Sequence, residues 1–279
     1  MKLDPSGTEV ITDCPIEPFL QEHFVESQGT KLADGKYHYT WANTCHPDLF
    51  GEILETMIVS PRKFSIAGGK DFPALEILNF ELHVEARIAI VDAARAFGTT
   101  PPKFGLPPGG PGWDRLTPTG PTGSASVGLR VVARNPKAYT FDCEYGSIFA
   151  QQIGLMNSLG NAYDKIAQPG GPGTPLNLTG TRIRDQSGAP STDWVPSDRG
   201  YFKNNNKAFN RAGGFSGEYV IYLGGDEFFG HGLGIISETS LTNTIEKDPQ
   251  GSGWNTSGGS TAAPTVDPWR EYPKVGLGN

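Results

Sequence analysis

Fifteen of the 31 residues from Gly98 to Gly128 are glycine or proline, as are eleven of the 32 from Pro169 to Gly200 and ten of the 34 from Glu246 to Asn279. Proline fixes φ and removes a backbone donor, and glycine costs the most backbone entropy on folding, so such stretches do not run as long helices or interior strands. These three segments hold 36 of the chain's 60 glycines and prolines, which makes the excess local: long connections laid on a more conventional scaffold. No three-residue period accompanies them, which excludes a collagen helix, and with 19% charged residues the chain is neither a coiled coil nor a disordered polyelectrolyte.

Between and beside the rich segments the periodicity is readable. Leu75, Leu78, Leu82, Ala86, Ile90, Ala93 and Phe97 recur at helical spacing after Pro73 and before Gly98, so a long amphipathic helix is expected over 73–97. A shorter one is expected over 47–58, with Leu49, Phe50, Ile53, Leu54, Met57 and Ile58 on one stripe before Pro61. The run VGLRVVAR (127–134) reads as a strand with a basic face, and 141–166 as a second helix weakened by Gly146, Gly154 and Gly160. Glu218–Leu223 and Gly230–Ile236, separated by Gly224-Gly225-Asp226-Glu227, read as a hairpin. The last thirty residues are poor in apolar side chains and are expected to be mobile.

A formal charge of −7 without any basic run argues against nucleic acid as a partner. The first residues lack the apolar core of a signal peptide, and no apolar stretch is long enough to span a bilayer, so the expectation is a soluble protein without a membrane partner. Three cysteines, Cys14, Cys45 and Cys143, are too few and too widely spaced for a disulfide framework or a zinc ribbon. Cys45-His46 has no further ligands at zinc spacing, and no calcium-type oxygen loop occurs, so no metal or cofactor is expected.

Cys143 follows Asp142 at the start of the second helix, where free backbone N–H groups and the helix dipole favour an anion and bias a thiol toward thiolate. The same cysteine also fits a small buried hydrophobe, and Asp142 a plain helix cap. A nucleophilic cysteine needs a base, and His231 lies in GHGLGII on the second arm of the hairpin. An even-length hairpin loop places Glu218 on the face of His231, and a two-residue Gly224-Gly225 turn would set them directly opposite, so the carboxylate could orient the imidazole. An exposed strand-end charge and a packed histidine fit the same spacing.

The runs YTFDCEYGSIFAQQIGLMNSLG (139–160), RGYFKNNNKAFN (199–210) and GEYVIYLGGDEFFGHGLGII (217–236) together resemble the bacterial protein-glutamine gamma-glutamyltransferase family of the Bacillus spore-coat type. The helix FELHVEARIAIVDAARAF (80–97) and GWDRLTPTG (112–120) extend the resemblance over roughly 70–245. It implies an α+β fold with a papain-like, NlpC/P60-type core, in which the cysteine opens a helix packed on an antiparallel sheet. It implies Cys143 as nucleophile, His231 as base and Glu218 as carboxylate, with Asp142 standing where the family has a second glutamate. Phe215 and Trp113 would line the substrate tunnel. On this basis residues 1–65 are an irregular N-terminal extension, 66–248 the catalytic domain and 249–279 a flexible tail.

The implied activity is calcium-independent cross-linking of protein glutamine to protein lysine through a cysteine thioester, by a monomer that is cytoplasmic, spore-associated or exported without a signal. A glutamine deamidase, in which water replaces lysine, a peptidoglycan amidase on the same core, and a silent binding protein are the alternatives at this point.

Overall fold

The computed structural model describes residues 2–3, 9–12, 30–31, 37–40, 47–62, 64, 73–106, 108–112, 124–167, 181–186, 190–205, 216–246 and 264–274. Near the N-terminus β1 (Lys2–Leu3), β2 (Glu9–Thr12), β3 (Thr30–Lys31) and β4 (Tyr37–Thr40) form a small sheet of order β1-β2-β4-β3. Helices α1 (Pro47–Val59) and α2 (Pro73–Thr99) follow where the periodicity places them. Phe50, Ile53 and Met57 of α1 pack on Val84 of α2 and on Val195, so this helix belongs to the main body and not to a separate extension ending at residue 65.

The run expected as a strand is a helix, α3 (Ala125–Arg134). A strand would put Val127, Leu129 and Val131 on one face, whereas Val127 and Val131 are 56% and 45% exposed and Ala125, Leu129 and Val132 are buried. VGLRVVAR satisfies both periods, and a distant carboxylate favours the helical one. Asp164 accepts hydrogen bonds from the Ser126 backbone N–H (2.8 Å) and from both serine hydroxyls, Ser126 (2.6 Å) and Ser124 (3.0 Å). That carboxylate satisfies donors at a helix start from outside the local sequence.

β5 (Lys103–Phe104) pairs in parallel with β6 (Thr140–Phe141), which leads directly into α4 (Cys143–Leu159). α4 is shorter than the 141–166 expectation: Gly160, at φ +54°, ends it, and α5 (Tyr163–Ala167) is separate. Gly154, which lowers intrinsic helix propensity, is explained by packing. A Cβ there would overlap the backbone of Ile90 in α2, so glycine lets the two longest helices cross in backbone contact.

The main sheet has the order β11-β10-β9-β8-β13-β7, with every pair antiparallel: β7 (Arg182–Asp185), β8 (Arg199–Lys203), β9 (Gly217–Gly224), β10 (Glu227–Gly230), β11 (Gly234–Ser237) and β13 (Arg270–Pro273), while β12 (Thr265–Val266) pairs with β8. Ile221, Leu223 and Phe229 face α2, α3 and α4 in the largest core; Phe202, Val220 and Phe228 face Trp194 and α6 (Glu238–Glu246) on the other side. The expected mobile tail therefore needs correction for residues 264–274. β13 is an interior strand with Arg270, Glu271 and Tyr272 buried, because Glu271 finds arginine partners on β7 and β8, and Arg270 finds backbone carbonyls of Asp267, Trp269, Pro190 and Ser191, that local composition does not reveal.

The hairpin is present, but its register differs from the expected one. The turn is Gly225-Asp226, both at positive φ, the pattern of a tight two-residue hairpin turn. A bulge between Glu227 and Phe228 shifts the ladder by one, pairing Phe228 with Tyr222 and Gly230 with Val220. Glu218 and His231 are thus not cross-strand partners, and His231 sits in the tight turn that joins β10 to β11.

Candidate active site

Three elements supply the site: the start of α4, the start of β9 and the β10–β11 turn. Cys143 is the first residue of α4, and the Asp142 carboxylate caps that helix by accepting the Tyr145 N–H at 2.8 Å. Asp142 is thereby fixed as a cap, and its negative charge acts on the thiol, on Glu218 and on His231.

Glu218 is completely buried, and its charge acts on the Cys143 thiol. Neither carboxyl oxygen has a hydrogen-bond partner among the described residues. Burial, followed by the charge of Asp142, pushes the Glu218 carboxyl well above its ordinary range. Burial and then the Glu218 charge push the Cys143 thiol up to about 12, against the opposing effect of the Tyr219 and Glu144 backbone groups on its sulfur. The expected bias toward thiolate is therefore reversed at rest. A helix terminus contributes about 0.3–1 kcal/mol when exposed, which desolvation beside carboxylates outweighs.

His231 is held by backbone. Its Nε2 lies 3.2 Å from the Phe141 carbonyl and 3.4 Å from that of Lys103. Carbonyls only accept, so Nε2 carries the proton and Nδ1 is the basic nitrogen; Nδ1 has no partner among the described residues. The ring packs against Phe104 (5.7 Å between centroids) and edge-on to Phe141 (6.4 Å). Burial lowers its pKa, so the neutral form predominates at neutral pH. A Cβ on Gly146 would overlap the His231 Cβ and Cγ, so glycine one turn into α4 lets the imidazole lie on the nucleophile's helix. The structure thus joins Glu218 to Cys143 and gives the orientation of His231 to two carbonyls. Phe215 and Trp113 lie outside the described residues.

Two buried ionic clusters escaped sequence reasoning. Asp198 accepts from Arg87 at 2.9 Å, from Arg62 and from the Val195 N–H at 3.1 Å, and Arg62 also pairs with Asp193 at 2.7 Å. Nearer Cys143, Arg199 donates to Ser147 of α4 (2.8 Å) and to Glu271 of β13 (2.6 Å). No local pattern marks these arginines, because their partners lie far away in sequence. Among the described residues, no group of three or more His, Cys, Asp or Glu side chains is placed to hold a metal, and no helix is long and apolar enough to cross a membrane.

A cysteine opening a helix packed on an antiparallel sheet matches the arrangement that the sequence resemblance implies, whereas the carboxyl acting on its sulfur, and not on the imidazole, does not. The model of the protein-glutamine gamma-glutamyltransferase family matches residues 42–254. The chain belongs to this family. Among its relatives, a protein-glutamine gamma-glutamyltransferase of Bacillus pumilus (strain SAFR-032) is 25% identical over 122 residues, covering 44% of this chain and 48% of that protein. One of Bacillus subtilis (strain 168) is 27% identical over 206 residues, covering 69% and 77%. The chain thus spans about half the length of the first relative and about three quarters of the second. A solved transglutaminase from Geobacillus stearothermophilus, without its C-terminal extension, shares the α+β fold at TM-score 0.55 and 17% identity, over 70% of this chain and 92% of that one. The matched family span includes Cys143, Glu218 and His231 and stops short of β12 and β13.

Proposed function

We propose that this family member is a protein-glutamine gamma-glutamyltransferase that joins protein glutamine to protein lysine through a thioester on Cys143. The observation that carries this reading is the fully buried Glu218 carboxyl, whose charge acts on the Cys143 thiol at the start of α4 and whose oxygens have no hydrogen-bond partner among the described residues. A carboxylate with an elevated pKa is a stronger base than an ordinary one, so it is better matched to a thiol that holds its proton tightly. As Sγ adds to the γ-carboxamide carbon, Glu218 takes the thiol proton, and the Tyr219 N–H stabilises the charge growing on sulfur. The adduct then expels ammonia, which leaves with the proton returned by Glu218, and the thioester remains.

A neutral lysine amine adds to the thioester, His231 Nδ1 takes a proton from the attacking nitrogen, and the isopeptide forms as the C–S bond breaks and the departing sulfur takes that proton from His231. Phe215 and Trp113 are assigned to the apolar wall that binds the lysine stem and keeps water out. The substrates are proteins bearing glutamine and lysine, and the chain acts as a monomer without calcium or another cofactor.

Incubation with casein and a fluorescent primary amine tests this, with dye incorporation and ammonia release followed together. Both should appear, and both should fall at least about a thousandfold in Cys143→Ala. Ammonia without incorporation would support the deamidase instead, and neither product would remove the assignment.

A further inference from the structure

We infer that the C-terminal strand β13 braces the nucleophile: Glu271 holds the Arg199 guanidinium against the first turns of α4, which makes Arg199 and Glu271 positioning residues for Cys143. The two residues are directly opposed on adjacent antiparallel strands, both buried, with Arg199 Nη1 2.6 Å from Glu271 Oε2. Arg182 of β7 donates to the same oxygen at 2.8 Å, so Glu271 is fixed from two sides. The other edge of the Arg199 fork faces α4. Its Nε donates to Ser147 Oγ at 2.8 Å, Ser147 Oγ donates to the Glu144 carbonyl at 2.8 Å, and Nη2 lies 3.7 Å from Glu144 Oε1.

Tyr219 and Trp269 flank the guanidinium at 4.4 and 5.9 Å. Tyr219 is also the residue whose backbone interacts with the Cys143 sulfur. A planar fork that must satisfy a strand carboxylate and a helix hydroxyl together has little freedom, so the strand position sets that of the helix turn. β13 lies beyond the matched family span, so Glu271 falls outside the part of the chain aligned with the family while Arg199 and Ser147 fall within it.

The inference rests on Cys143 as the reacting group of the proposed transferase, but its test does not require any glutamine or lysine substrate. The groups facing the thiol are Glu218 and Tyr219 of β9, Tyr201 of β8, and Asp142 and Glu144 beside it in the chain, while His231 packs on Gly146 of the same helix. In the brace, Glu271 is shared by Arg199 and Arg182, and Arg199 also lies 3.7 Å from the half-exposed Glu144. Arg199→Met removes a cation from the helix turn of the thiol, and Glu271→Gln leaves the Arg199 and Arg182 charges in excess. The two variants should therefore move thiol reactivity in opposite directions.

The measurement is the rate of iodoacetamide alkylation at Cys143 in the full chain, read by peptide mass so that Cys14 and Cys45 do not interfere, across pH 7–10. At a fixed pH the rate should fall about threefold in Arg199→Met and rise about threefold in Glu271→Gln, a displacement of about half a pH unit each way. A strand that only completes the sheet would lower the unfolding temperature without altering these rates. Rates equal to those of the unsubstituted chain, or shifted in the same direction in both variants, would overturn the brace. If Arg199→Met does not fold, Glu271→Gln decides alone: a faster rate supports the inference, and an unchanged or slower one overturns it.

Discussion

Asp198 and Glu218 are both carboxylates with no solvent exposure, and each sits at one end of a strand in the same sheet. Their surroundings differ. Asp198 is saturated by Arg62, Arg87 and the Val195 N–H, whereas neither oxygen of Glu218 has a hydrogen-bond partner among the described residues. A buried charge with partners ties elements together; one without them is costly and is retained where chemistry uses it. Asp198 ties the α1–α2 connection and α2 to the start of β8. Glu218 instead holds a raised affinity for a proton beside the Cys143 thiol.

The contrast breaks most visibly if each carboxylate is neutralised. Asp198→Asn strands two buried guanidinium groups and should cost about 3–5 kcal/mol in denaturant unfolding, with little loss of turnover per folded molecule. Glu218→Gln should do the reverse, lowering amine incorporation about 10²- to 10⁴-fold while leaving stability equal or higher. Similar stability losses in both variants would show that Glu218 is structural.

Gly146→Ala tests the third member of the site. The added methyl group should push the imidazole away from α4 and lower turnover about tenfold or more. The unfolding midpoint should change less, since alanine favours the helix. A fully active variant would remove His231 from the mechanism.

The smallest effects are in pH dependence, and they have opposite signs. Burial and then the neighbouring Arg87 lower the His83 pKa well below 6.5, so the folded state refuses a proton that the unfolded chain accepts. Its stability contribution is present above about pH 6.5 and is lost as pH falls, by at most about 1.4 kcal/mol per unit. His83→Gln should flatten that acid limb. Glu218, with its raised pKa, contributes stability that is present below about 4.5 and lost as pH rises through its folded value. The stability of Glu218→Gln relative to the parent should therefore grow over that window, as chemical denaturation at a series of pH values would show.

Much of this site was legible in the sequence. Periodicity and glycine signals, which act over a few residues, put Cys143 at a helix start and Glu218 on the first arm of a hairpin, whereas His231, expected on the second arm, lies in the turn that follows it. Their pairing was less legible because a single bulge at Glu227–Phe228 changes the register by one position, and one position reverses the face of every side chain. VGLRVVAR was misassigned for a related reason: its apolar residues fit both periods, and the deciding carboxylate, Asp164, lies some forty residues away.

By itself, the sequence determined the family, the helices over 47–59 and 73–99, the cysteine at a helix start and the existence of the hairpin, since local spacing and turn chemistry carry that information within each segment. Only the tertiary structure decided that Glu218 faces the thiol, that His231 is oriented by carbonyls, that the resting sulfur keeps its proton and that β13 reaches the centre of the sheet. Each of these depends on burial and on partners tens of residues apart. Desolvation and strand register arise when distant segments meet, and no local window of the chain contains both sides of such a contact.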